Sequence, residues 1–184
     1  MRVKVADLEF ETLIDNHTIE QRIKLLSQQI ESDYDGLSPI FLGVLNGCFL
    51  FMADLIKNIS IPCEVTFTKL ASYYGGTTTT RNIRSDIELH LDISDRHVVI
   101  VEDIIDSGNT LSFLINKLKL HNPASIQVCT LLSKPDAAEV EIPEVTYIGF
   151  EIDNEFVVGY GLDYKELGRN LKDIYRLLSS TTAV

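Results

Sequence analysis

The strongest constraint on this fold is a pair of strand-length runs in which nearly every residue is apolar, each followed by helical sequence. Pro39-Ile40-Phe41-Leu42-Gly43-Val44-Leu45 is broken by Asn46-Gly47, and Phe49 to Lys57 then reads as a helix. His97-Val98-Val99-Ile100-Val101 is the strongest strand candidate of the chain, and Thr110 to Leu120 supplies the helix after it. A strand that is apolar throughout must be covered on both faces, which is the situation of a parallel sheet in an α/β fold. Cys63 to Lys69, Ser125 to Leu132 and Val145 to Phe150 add further strands. Ile19, Ile23, Leu26 and Ile30 recur at helical spacing, so Thr18 to about Ser32 is expected to form an amphipathic helix with Thr18 as N-cap. The length of 184 residues, with no repeat and no dividing linker, suits a single domain. Ligands of such sheets bind beyond the carboxyl ends of the strands. The loops after Leu45, Lys69, Val101, Leu132 and Phe150 are therefore where a site belongs.

Charge narrows the partners. The net charge of −11 and the lack of a basic face argue against nucleic acid, which is bound through arrays of Lys and Arg. No apolar run reaches the ~18–20 residues that span a bilayer, and the first residues lack the apolar core of a signal peptide. Cys48, Cys63 and Cys129 are odd in number, widely spaced and not clustered with histidine. They read as reduced thiols packed as small hydrophobes in a cytoplasmic protein, with no zinc site.

The run from Val98 to Thr110 carries most of the chemistry. It reads as an apolar strand ending in two adjacent acids, Glu102 and Asp103, then a short turn with a third, Asp106, and a helix start. Ser107, Gly108, Asn109 and Thr110 suit a phosphate cradle: a helix N-terminus has unpaired N–H donors, glycine permits close approach, and the hydroxyls add donors. Carboxylates beside a phosphate repel it unless a divalent cation intervenes. Magnesium, which takes few carboxylates and several ligand or water oxygens, resolves the conflict. The plainer alternative is a surface turn whose acids cap the helix, a contribution of about 0.3–1 kcal/mol.

The nine residues Glu102-Asp103-Ile104-Ile105-Asp106-Ser107-Gly108-Asn109-Thr110 resemble the phosphoribosyl pyrophosphate signature of type I phosphoribosyltransferases, with wording closest to the hypoxanthine–guanine branch. The resemblance covers about residues 38 to 171 and implies that family's fold, with a small hood over the purine site contributed by the terminal segments. It sets Glu102 and Asp103 beside the ribose hydroxyls and metal, Ser107 to Thr110 around the 5-phosphate, Asp106 at purine N7, and Ile104 beside the base. Leu45-Asn46-Gly47 resembles the pyrophosphate loop, which in the family often contains a cis peptide before its middle residue. Asn46 stands where many relatives carry Lys or Arg, so backbone donors are left to serve there. Ala71 to Thr80 resembles the mobile catalytic loop, with Ser72 and Tyr73 over the reacting centre. Lys134 becomes the donor to purine O6, and ammonium, having no acceptor, disfavours a 6-amino base. Phe156 would stack on the base, Val157 would meet its edge through the main chain, Asp163 would hold a second magnesium, and Arg169 would lie near pyrophosphate.

The expected reaction is displacement of pyrophosphate from phosphoribosyl pyrophosphate by a 6-oxopurine, giving the purine nucleotide. Asp106 acts as the acid–base residue and magnesium as cofactor. The resemblance also implies a homodimer or homotetramer. Rival readings are another base (xanthine, adenine or a pyrimidine), a regulatory nucleotide-sensing protein on the same fold, and a metal-dependent phosphatase.

Overall fold

The computed structural model describes residues 1–69 and 91–178, so Ser72 and Tyr73 of the expected catalytic loop lie outside the described residues. The chain runs β1 (Arg2–Val5), β2 (Leu8–Ile14), α1 (Asn16–Asp33), β3 (Ile40–Leu45), α2 (Phe49–Lys57), β4 (Glu64–Lys69), β5 (His97–Ile105), α3 (Asn109–Lys119), β6 (Ser125–Ser133), β7 (Val145–Glu151), β8 (Val157–Val158) and β9 (Ile174–Leu177).

The apolar strands form the expected five-stranded parallel sheet, in the order β4-β3-β5-β6-β7. Alternation along each central strand divides its side chains between two cores. Phe41, Val99, Val101 and Leu131 face α1 and α2, against Ile23, Leu26, Phe51 and Leu55. Ile40, Leu42, Val98 and Ile100 pack instead with Leu111, Leu114 and Leu118 of α3. Burial of each such side chain contributes roughly 1.5–3 kcal/mol, which explains why these runs tolerate no polar residue.

Two local expectations are corrected. The N-cap of α1 is Asp15, not Thr18: the Asp15 carboxylate accepts from the Thr18 N–H at 3.0 Å and from its hydroxyl at 2.9 Å. A carboxylate caps well because it satisfies an orphan donor and faces the positive end of the dipole. Second, β5 does not stop before its acids. It continues beside β6 through the pairs Glu102↔Thr130, Ile104↔Leu132 and Ile105↔Ser133, because main-chain pairing is indifferent to side-chain charge.

A second, antiparallel sheet joins both ends of the chain in the order β1-β2-β9-β8. Its core is Val5, Phe10, Val158 and Tyr175. This is the hood expected from the terminal segments. Among the described residues, no helix is long and apolar enough to cross a membrane.

Candidate active site

Asn46, Gly47, Glu102, Asp103, Asp106, Ser107 and Lys134 lie at or just beyond the carboxyl ends of β3, β5 and β6. The turn after β5 bends at Gly108, whose φ of 79° lies in the left-handed region that glycine enters freely. Val140 and Ile142 pack over this glycine, where a Cβ would lie 3.0 and 3.1 Å from their side chains. Gly108 itself offers no side-chain cap to α3, no acid lies in the first turn of the helix, and the Asn109 N–H donates to Ser107 Oγ at 3.5 Å. The first-turn N–H groups of α3 thus face the turn with the positive end of the helix dipole, the arrangement that binds phosphate. Ser107 Oγ lies 3.2 Å from Asn109 Nδ2, which donates at 2.6 Å to Glu139 as well, fixing the shape of the cradle. Thr110 occupies the first turn, partly exposed.

Asp106 and Lys134 come from neighbouring strand ends. The Lys134 N–H donates to the Ile105 carbonyl at 2.9 Å, which ties the two loops together. Lys134 Nζ then lies 3.7 Å from Asp106 Oδ2, the lysine side chain 9% exposed and the aspartate 60%. An enclosed cation beside an accessible carboxylate offers a donor and a proton acceptor to one edge of a planar ligand.

Glu102 and Asp103 stand where like charges and burial reinforce each other. Burial, then the neighbouring Asp103 charge, pushes the Glu102 carboxyl well above its ordinary value. Its Oε2 is buried and has no hydrogen-bond partner. Burial raises Asp103 to about 6, against the lowering effects of the Ile104 N–H, which donates to it at 3.0 Å, and of Arg169. Two adjacent, poorly solvated carboxylates with an orphaned oxygen are a donor set that fits a divalent cation. Among the described residues no group of three or more His, Cys, Asp or Glu side chains stands ready as a metal site. Ile104, between these acids and the turn, is partly buried against the larger core.

The pyrophosphate-loop candidate packs directly on these acids. The Leu45–Asn46 peptide is cis, and Asn46 is exposed while Gly47 is buried. A Cβ on Gly47 would fall 1.5 Å from Asp103 Oδ2, so only glycine admits this contact. The turn before Asp163 closes on the same point: a Cβ on Gly161 would meet the Gly47 carbonyl at 2.0 Å. Arg169 donates to the Gly161 carbonyl at 2.9 Å and pairs with Asp163 at 2.5 Å. Thus Asn46, Gly47, Asp103, Gly161, Asp163 and Arg169 form one cluster, whereas Phe156 and Val157 sit apart on the hood.

Phe156 is 44% exposed, its ring held by Phe10 at 6.1 Å and, edge-on, by Tyr164 at 5.7 Å. An aromatic face with a rigid backing and one open side is suited to stack a flat ligand. Val157 is buried, opposite Arg176 in the ladder, while the Phe156 carbonyl accepts from Leu177 N–H at 2.9 Å. The antiparallel alternation therefore turns the main-chain groups of Val157 away from β9, toward the sheet edge. Gly161, Phe10 and Tyr164 were not singled out by the motifs. The Gly-Tyr-Gly run at 159–161 and the alternation of Leu8, Phe10, Thr12 and Ile14 were the available signals.

The five-stranded parallel sheet flanked by helices agrees with the comparisons. Residues 9–165 match the phosphoribosyl transferase domain family. The chain is 45% identical over 166 residues to the hypoxanthine phosphoribosyltransferase of Haemophilus influenzae, covering 88% of this chain and 91% of that one. It is 46% identical over 159 residues to the hypoxanthine-guanine phosphoribosyltransferase of Streptococcus pneumoniae, covering 86% of this chain and 88% of that one. The crystal structure of a hypoxanthine-guanine phosphoribosyltransferase from Bacillus anthracis superposes with a TM-score of 0.86 at 36% identity, covering 94% of this chain and all of the other. The chain belongs to the phosphoribosyl transferase family.

Proposed function

We propose that this chain is a purine-salvage transferase that joins hypoxanthine, and guanine, to the ribose 5-phosphate of phosphoribosyl pyrophosphate, releasing pyrophosphate. The observation that carries the reading is the Lys134–Asp106 pair, 3.7 Å apart across adjacent strand ends. O6 and N7 of a 6-oxopurine lie side by side on one edge of the base. Lys134 donates to O6, and Asp106 takes or shares the N7 proton while N9 forms its bond to the anomeric carbon. The bond from that carbon to the pyrophosphate oxygen breaks, and the electron pair leaves with pyrophosphate.

The rest of the chain's machinery follows from position. Ser107, Gly108, Asn109 and Thr110 hold the 5-phosphate. The ring of Phe156 stacks on the base, with Ile104 beside it, and the outward main-chain groups of Val157 read the base edge. Asn46 and Gly47 bind pyrophosphate through main-chain donors, with Arg169 supplying charge. Ser72 and Tyr73 cover the reacting centre. Magnesium fits Glu102 and Asp103, with a second ion at Asp163; when bound, it offsets the charge of the ribose-linked pyrophosphate. The whole chain acts as one unit, in the cytoplasm, as a homodimer or homotetramer.

Initial rates with hypoxanthine, guanine, xanthine and adenine test the proposal. Turnover with hypoxanthine and guanine, and little with adenine, is the expected outcome. Phosphoribosyl pyrophosphate binding with no transfer to any base would favour the nucleotide-sensing alternative.

A further inference from the structure

Helix α2 begins immediately after the Asn46–Gly47 loop and carries Asp54 on its far half. Asp54 Oδ2 accepts from the Tyr160 hydroxyl at 2.5 Å, while its other oxygen pairs with Lys57 at 2.6 Å. Tyr160 is buried, at 3% exposure, and joins Phe51, Met52 and Leu55 of α2 in the larger core. Burial, reinforced by the Asp54 charge, raises the Tyr160 phenol above its ordinary value, so it stays a donor throughout the working pH range.

Tyr160 is also the middle residue of an irregular turn. Gly159, Tyr160 and Gly161 have φ of 98°, 48° and 99°, a run of left-handed backbone that a local preference would not favour for tyrosine. The turn is held by the Tyr160 N–H to the Leu171 carbonyl at 2.8 Å and the Gly161 N–H to the Arg169 carbonyl at 2.9 Å. One residue beyond Tyr160, Gly161 presses on the Gly47 carbonyl, and two further on stands Asp163. The same turn is thus bonded to α2 at one end and in contact with the loop that starts α2 at the other.

We propose that Tyr160 and Asp54 are positioning residues: their hydrogen bond sets the spacing between the Asn46–Gly47 loop and the Gly161–Asp163–Arg169 turn. That spacing determines how tightly the pyrophosphate end of the substrate is held. The inference rests on the reading of these two segments as the pyrophosphate side of a transferase site. The purine side, built on Phe156, Phe10 and Lys134, lies outside the brace and is not governed by it.

The test uses full-length protein carrying Tyr160→Phe, Asp54→Ala, both together, or Asp54→Asn. Titration calorimetry measures affinity for inorganic pyrophosphate with magnesium. Kinetics give separate KM values for phosphoribosyl pyrophosphate and hypoxanthine. Expected for Tyr160→Phe and Asp54→Ala are a three- to tenfold weaker pyrophosphate affinity and a similar rise in KM for phosphoribosyl pyrophosphate. The hypoxanthine KM should stay within twofold. The double variant should be no worse than either single one, and Asp54→Asn, which keeps an oxygen acceptor for the hydroxyl, should recover most of the loss. Unchanged pyrophosphate affinity in Tyr160→Phe overturns the brace, as does an equal loss in both KM values. A wild-type protein that binds pyrophosphate without transferring any base overturns the transferase reading alone, and the affinity comparison still decides the brace.

Discussion

On the proposed function, Asp106 and Lys134 divide the work of recognising one edge of a base, and each has a distinguishable variant. Asp106→Asn removes the proton acceptor but keeps the size and a hydrogen-bonding group. Turnover is expected to fall by about 10²–10⁴-fold, the usual contribution of a general base, with affinity for phosphoribosyl pyrophosphate spared. Steady-state kinetics check this, and unchanged turnover would remove Asp106 from the chemistry. Lys134→Gln replaces a pure donor with a group that can also accept. The ratio of adenine to hypoxanthine kcat/KM should rise, mostly through loss on hypoxanthine, because a site built around a hydrogen bond discriminates strongly against its absence. The acids beside them give a pH signature. Asp103, raised from 3.8 to about 6, binds more protons folded than unfolded across the interval between those values, and Glu102, raised well above its ordinary value, acts in the same sense. Stability of the metal-free protein must then fall as pH rises through that interval. Asp15 and Glu31, which are lowered, act with the opposite sign, but only under more acidic conditions. Thermal melts in a chelator from pH 5 to 7 should show a falling Tm, steeper than in Asp103→Asn, and magnesium should flatten it. A Tm that rises over this range would contradict the placement of the two acids.

At the scale of elements, close backbone approaches shape the site. Gly161 combines a φ of 99° with a space that a Cβ could enter only 2.0 Å from the Gly47 carbonyl. Gly161→Ala is therefore expected to destabilise the fold by roughly 2–3 kcal/mol, since neither the strained backbone nor the opposing carbonyl can yield cheaply. Urea unfolding measures this; a loss under 0.5 kcal/mol would mean the two turns move independently. Such approaches explain what was legible beforehand. The central strands and α2 could be read because Phe41, Val99 and their neighbours are buried on both faces, leaving a pattern written in the residues themselves. The acidic turn was legible because its order of acid, glycine and hydroxyl is specific. The full length of β5 was not, since Glu102 and Asp103 resemble a strand stop, while Thr130 and Leu132, the ladder partners of Glu102 and Ile104, lie far along the chain. Nor were Asp54 and Tyr160, whose pairing spans 106 positions and leaves no local signal. The strand Ile174–Leu177, with its mixed Ile-Tyr-Arg-Leu, likewise acquires meaning only beside β2.

For the molecule as a whole, the hood is the part whose loss would be selective. Phe10 is fully buried and backs Phe156 and Tyr164. Phe10→Leu, which keeps most of the volume, should raise the hypoxanthine KM several-fold while leaving the phosphoribosyl pyrophosphate KM nearly unchanged; parallel kinetics on the two substrates would show it. An equal rise in both would mean that hood and sheet are not separable functionally. The order of synthesis adds a different consequence. Every strand of the parallel sheet precedes residue 152, so that sheet has all its partners while the chain is still growing. β2, made among the first 14 residues and paired with β1, must wait for Ile174–Leu177 to gain its second neighbour. On a ribosome moving from N- to C-terminus, the parallel sheet with its proposed phosphate cradle can thus take shape before the hood that carries the proposed base platform. A chain interrupted between residues 152 and 174 would carry the whole parallel sheet and its acidic turn, yet leave β2 without the strand that joins it to β8.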